Sequence, residues 1–94
     1  MTISDSTRLR PTRALPGRKL AGEQVLVDSQ QRRVHVMNGV GGVVWAGIER
    51  AASVGEIVDE LVTRYRVDAP TARGDVDRFV RELVEAGLVE VVSA

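Results

Sequence analysis

Few residues in this chain have the chemistry for catalysis. His35 is the single histidine. A general base or covalent nucleophile needs an oriented partner within hydrogen-bond reach. No residue is spaced to suggest one, so His35 reads as a half-exposed strand residue. Cysteine is absent, which removes disulfides, thiolate nucleophiles and zinc–sulfur sites together. Gly39-Val40-Gly41-Gly42 stands before a helical stretch and has the outline of a phosphate cradle. It lacks the Gly-Lys-Ser/Thr ending and any dinucleotide-type spacing. Close packing of a helix start against a sheet explains these glycines more simply. Asp75, Asp77, Glu82 and Glu85 are acidic enough to suggest a cation site. Residues two apart on a helix do not face each other, and Arg78 and Arg81 stand at pairing distance, so a solvated charged face is expected. Trp45 is the only tryptophan and reads as the bulky anchor of a core rather than a ligand platform. The residues therefore point away from an enzyme, a cofactor and a metal site.

The 94 residues suffice for one domain. A domain of this size buries only about 60% of the surface its unfolded chain exposes, which leaves no room for a deep, multiply supported active site. No run approaches the ~18 apolar residues of a membrane span. Met1 to Pro11 carries Asp5, Arg8 and Arg10 and has no signal-peptide pattern, so a cytoplasmic protein without membrane contact is expected. Formal net charge is zero. Residues 1–46 hold seven Arg/Lys against three Asp/Glu, and residues 47–94 hold six against ten. A neutral chain with one Trp, one Tyr and one Phe is a poor nucleic-acid binder.

Residues 1–17 are rich in Ser, Thr and Arg and contain two of the three prolines. They read as a flexible arm, with a domain over 18–94. A short strand is expected near Arg18–Leu20, another over Gln24 to Val27, and a third over Arg33 to Met37. In the last, Val34 and Val36 share one face, and Arg33, His35 and Met37 the other. Val25, Val27, Val34 and Val36 are expected in the core or in the wall of a groove. Asn38 is a suitable N-cap for a helix from Val40 to about Arg50. Ser53-Val54-Gly55-Glu56 is a capping box opening a second helix that carries Ile57, Leu61, Val62 and Tyr65. Arg66 to Pro70 separates it from a third, which begins after Thr71 and carries Ala72, Val76, Phe79, Val80 and Leu83. Val76, Phe79 and Leu83 are expected to meet Trp45 and the sheet. Gly87 stands where a C′ glycine belongs, and a last strand is available at Leu88–Val92. The fold class is α+β: a small winged helix-turn-helix-like domain, with an N-terminal three-stranded antiparallel sheet followed by three helices.

Several pieces in order carry a resemblance. They are the junction Val36-Met37-Asn38 with Trp45 beyond it, Ser53-Val54-Gly55-Glu56-Ile57-Val58, Leu61 with Tyr65-Arg66-Val67-Asp68, and Asp75 to Leu83 ending in Gly87-Leu88-Val89. From about Glu23 to Val92 the chain resembles the PqqD-like family, also called the RiPP recognition element. Val25-Leu26-Val27-Asp28 and Tyr65-Arg66-Val67-Asp68 look most like the leader-binding partners of lasso-peptide proteases. Gly39-Val40-Gly41-Gly42 departs from the family, whose members often carry an acidic residue or threonine and alanines there.

The resemblance implies a protein that binds the leader of a ribosomally made precursor peptide. It would deliver that peptide to a separate protease or modifying enzyme. The family holds its leader between the last sheet strand and the third helix. The corresponding positions here are Arg32, Arg33, Val34, His35, Val36 and Met37 on the strand, and Arg73, Val76, Asp77 and Val80 on the helix. The strand reading agrees, because a short strand flanked by arginines suits an edge that accepts a peptide, with His35 at its centre. Other readings are a carrier in pyrroloquinoline quinone synthesis, a winged-helix DNA binder and a small structural or toxin–antitoxin-like subunit. DNA binding is disfavoured by the acidic third helix.

Overall fold

The computed structural model describes residues 2–20, 23–37 and 39–93. The capping box opens helix α2, Val54–Tyr65. Ser53 is its N-cap: its hydroxyl accepts from the Glu56 amide at 3.2 Å, and Glu56 accepts from the Ser53 amide at 2.8 Å. The amides of Val54 and Gly55 donate to the carbonyls of Thr7 and Asp5. The first-turn donors, which a helix cannot satisfy internally, thus find partners in the N-terminal segment.

Helix α3 spans Ala69–Glu85 and starts earlier than the sequence suggested. Its N-cap is Asp68, whose carboxylate accepts from the Thr71 amide and hydroxyl. Pro70 is tolerated because first-turn amides need no intrahelical partner. At the other end Gly87 adopts φ +75, as expected of a C′ residue. Helix α1 covers Gly39–Glu49. The N-cap expected at Asn38 lies outside the described residues.

Among the described residues there are five strands: β1 Arg8–Pro11, β2 Gly17–Leu20, β3 Glu23–Asp28, β4 Arg33–Met37 and β5 Val89–Ser93. The expected three-stranded antiparallel sheet is present, ordered β2-β3-β4. A second sheet, β1 antiparallel to β5, was not foreseen. It corrects the reading of residues 1–17 as a flexible arm. Leu9 and Thr7 are fully buried, Ile3 is buried, and Arg8 also bridges to Ser53. Polar composition suggested disorder, but alternate burial along β1 supplies the compensating contacts.

Helix α1 lies at the centre of the molecule, with Val44, Trp45 and Ile48 inaccessible to solvent. It packs on β1, β3, β4, α2 and α3. The close crossing with α2 requires Gly47, because a Cβ there would stand 2.6 Å from Ile57. The sheet contributes Leu26 and Met37 to this core. The four valines do not join it. Val27, Val34 and Val36 are exposed and Val25 is half-buried. Alternation fixes which residues share a face; the larger Leu26 and Met37 take the side covered by α1.

Candidate functional site

The strand β4 is one edge of its sheet, and its register shows which peptide groups are free. The Val27 amide donates to the Pro16 carbonyl at 2.8 Å, so the backbone groups of Val27 point toward β2. Those of its neighbours, Leu26 and Asp28, therefore point toward β4. Leu26 pairs with His35 and Asp28 with Arg33, which makes these the hydrogen-bonded pairs. Val27–Val34 and Val25–Val36 are the intervening non-hydrogen-bonded pairs. The N–H and C=O of Val34 and Val36 consequently face outward, away from β3. His35, expected at the centre of the open edge, has its backbone bonded inward to β3.

A groove of about 370 Å³ runs between this edge and α3. Its strand wall is Val34, His35, Val36 and Met37. Its helix wall is Phe79, Glu82, Leu83 and Ala86, with Leu88 beyond the helix end. The spacing of the helix residues is three, one and three, so they form one stripe. Phe79 is half-buried and packs against α1 as well as facing the groove. A Cβ on Gly41 would stand 3.1 Å from the Phe79 ring. Gly41, within the unusual glycine run at the start of α1, thus makes room for a groove-lining ring.

The structure gathers the strand residues and separates the helix ones. Val76 and Val80 are fully buried in the core rather than in the groove. Arg73 bonds Asp77 at 2.8 Å, Asp5 at 2.6 Å and the Ile3 carbonyl, which fixes it to the N-terminal segment. The stripe at Arg73, Val76, Asp77 and Val80 therefore binds α3 to its own protein. Sequence reasoning missed Glu82 and Ala86, and it assigned Phe79 and Leu83 wholly to the core. No local pattern separates Phe79 from the core stripe; its place follows from the approach of Gly41.

Arg32 and Arg33 stand exposed at the start of β4, in no ion pair among the described residues. Arg32 adopts φ 55 in the turn. Behind that turn Asp28 is bonded to Arg13 at 2.5 Å. The Arg13 hydrogen bond, above all, holds the Asp28 carboxyl below its ordinary range against the opposing effect of burial. The Nε2 of His35 is buried without a hydrogen-bond partner. No group of three or more His, Asp or Glu that could hold a metal ion occurs among the described residues. A larger depression of about 570 Å³ lies near Asp5, Gly55 and Arg73, away from the open strand edge.

Residues 23–89 match the family described as Coenzyme PQQ synthesis protein D (PqqD). The chain belongs to the PqqD family. The matched span runs from the start of β3 to the start of β5, so this PqqD-family segment includes the open edge, all three helices and the groove. The resemblance read from the sequence holds. A solved structure of TbiB1 in complex with the TbiA(β) leader peptide is similar, with a TM-score of 0.80 and 29% identity. The alignment covers 90% of this chain and 98% of TbiB1. That breadth takes in more than the PqqD match and agrees with an α+β fold of three helices and antiparallel sheet. No curated protein sequence matches the chain.

Proposed function

We propose that this protein binds the leader segment of a ribosomally made precursor peptide by adding it as a strand to β4. It then presents that peptide to a separate processing enzyme, in a natural-product pathway of the lasso-peptide kind. The observation that carries this reading is the open edge: four backbone groups, on Val34 and Val36, face a groove walled by α3. TbiB1, with a leader peptide in its solved complex, supports the reading.

Backbone pairing tolerates many sequences, and side-chain pockets add selectivity. An antiparallel peptide opposite Val34 and Val36 places its intervening residue inward, toward His35, Phe79 and Leu83. A few aliphatic or aromatic side chains buried at roughly 1.5–3 kcal/mol each offset the ordering of a disordered leader. An affinity of about −8 to −9 kcal/mol, near micromolar, follows on the general scale. The exposed Arg32 and Arg33 favour approach of an acidic leader. The partner enzyme supplies the chemistry, and both proteins work in the cytoplasm.

The family description gives a second reading, a carrier in coenzyme PQQ synthesis. The two differ in the peptide carried rather than in how it docks. DNA binding has less support, because Arg73 and Arg78 on α3 are paired with acidic residues.

Calorimetric titration with the leader of a short precursor peptide, sought among the genes neighbouring this one, tests the proposal. Micromolar binding is expected. Val36→Pro should weaken it at least about tenfold while the fold survives, because proline is tolerated on an edge but removes an outward donor. Nanomolar, sequence-selective DNA binding with no response to the leader would refute the proposal.

A further inference from the structure

Val34 and Val36 are 63% and 57% exposed, and Val27 is 44% exposed. These side chains lie on the face of the sheet away from α1. The pairs Val25–Val36 and Val27–Val34 set them side by side in a contiguous apolar patch. β-Branched residues suit a pleated, packed surface. A clustered apolar surface of this kind commonly marks an interaction site.

The patch runs directly into the open edge. The residues whose backbone faces that edge, Val34 and Val36, also own its outermost side chains. Cross-strand partners project to the same face. A peptide added to β4 thus places the two residues opposite Val34 and Val36 on the valine face, with the residue between them in the groove.

We propose that Val34 and Val36 are specificity determinants that read two leader residues, spaced two apart, from the solvent side of the sheet. The inference rests on strand addition as proposed above. It names the favoured ligand more closely: an extended segment with β-branched or aromatic side chains at those two positions. Each such pair lies directly cross-strand, where aromatic–β-branched and similar pairs are favourable. Side chains outside the groove therefore contribute to selection.

A displayed library of about twelve-residue peptides, panned on the whole protein, provides the probe. Two enriched apolar positions separated by one residue are expected. The best captured peptide is then titrated against Val34→Thr, Val36→Thr and the double variant. Threonine keeps the branching and the strand preference, and the sites are exposed, so the fold is retained. Each single change should weaken binding about threefold, and both together about tenfold. Val27→Thr alters the same patch one strand further in and should weaken binding less than either change on the edge strand. Replacing either outward peptide residue by Ser should give a loss that does not add to that of its valine partner. If the double variant binds equally well and selects the same residues, the valine face reads nothing and strand addition alone stands. If the unaltered protein captures no peptide, strand addition fails and this inference falls with it.

Discussion

Asp28 ties three parts of the chain together. Its carboxylate accepts from Arg13 at 2.5 and 3.3 Å and from the Gln31 amide at 3.3 Å. Arg13 also donates to the Gly87 carbonyl at the end of α3. A carboxyl whose folded pKa is depressed stabilises the fold fully above its unfolded pKa. The contribution is lost as pH falls through the folded value. Glu56, held by the Ser53 amide and hydroxyl, and Asp68, held by Thr71, shift in the same direction. Stability should therefore decline as pH falls through and below the ordinary carboxylate range. Asp28→Asn should be less stable at pH 7 and lose less on acidification. Denaturant titrations at pH 7 and pH 3 measure this; parallel profiles for both proteins would remove Asp28 from the account. Gly41 has a different role. In Gly41→Ala the new methyl must displace the Phe79 ring, and the open side is the groove. Leader binding should weaken about tenfold with little change in unfolding temperature. Unchanged binding would show that the ring yields elsewhere.

At the scale of elements, α1 and α3 end in the same way with different residues. At α3, Gly87 donates to Val84 and Leu88 to Leu83. At α1, Ala51 donates to Ile48 and Ala52 to Gly47. Both are Schellman endings, but the left-handed position holds Gly87 at φ 75 in one and Ala51 at φ 61 in the other. A residue with a Cβ pays roughly 1–2 kcal/mol for that conformation. Ala51→Gly should stabilise the protein by about 1 kcal/mol and Gly87→Ala should destabilise it similarly. Thermal melts should show shifts of about 4–8 °C in opposite directions. A lower melting temperature for Ala51→Gly would contradict the ending assigned to α1. Such endings are local, which is why Gly87 and the Ser53–Glu56 box were legible in the sequence. The start of α3 was misplaced because Pro70 reads equally as a break or as a first-turn residue. Strand β1 was not legible at all: its partner β5 lies at the far end of the chain, and no local pattern encodes that pairing.

For the whole molecule, the sequence located the strand that walls the groove more surely than the helix face opposite it. Residues 33–37 alternate, so their two faces could be assigned, yet four valines gave no sign of which face was core. That choice depends on α1 covering Leu26 and Met37. On α3, Val76 and Val80 are apolar because they are core, while the groove uses the neighbouring stripe of Phe79, Glu82, Leu83 and Ala86. Two adjacent stripes on one helix cannot be separated without knowing what packs on each. The N-terminal segment completes the arrangement by capping α2 and engaging Arg73, which leaves α3 free to offer the other stripe to β4. Amide hydrogen exchange of the free protein and of its complex with the captured or precursor-derived leader tests this arrangement most directly. The amides of Val34 and Val36, unpaired at the open edge, should slow at least about tenfold on saturation, whereas His35, already bonded to β3, should change much less. Unaltered exchange at Val34 and Val36, with the changes gathered instead along Ile57 to Tyr65, would contradict strand addition.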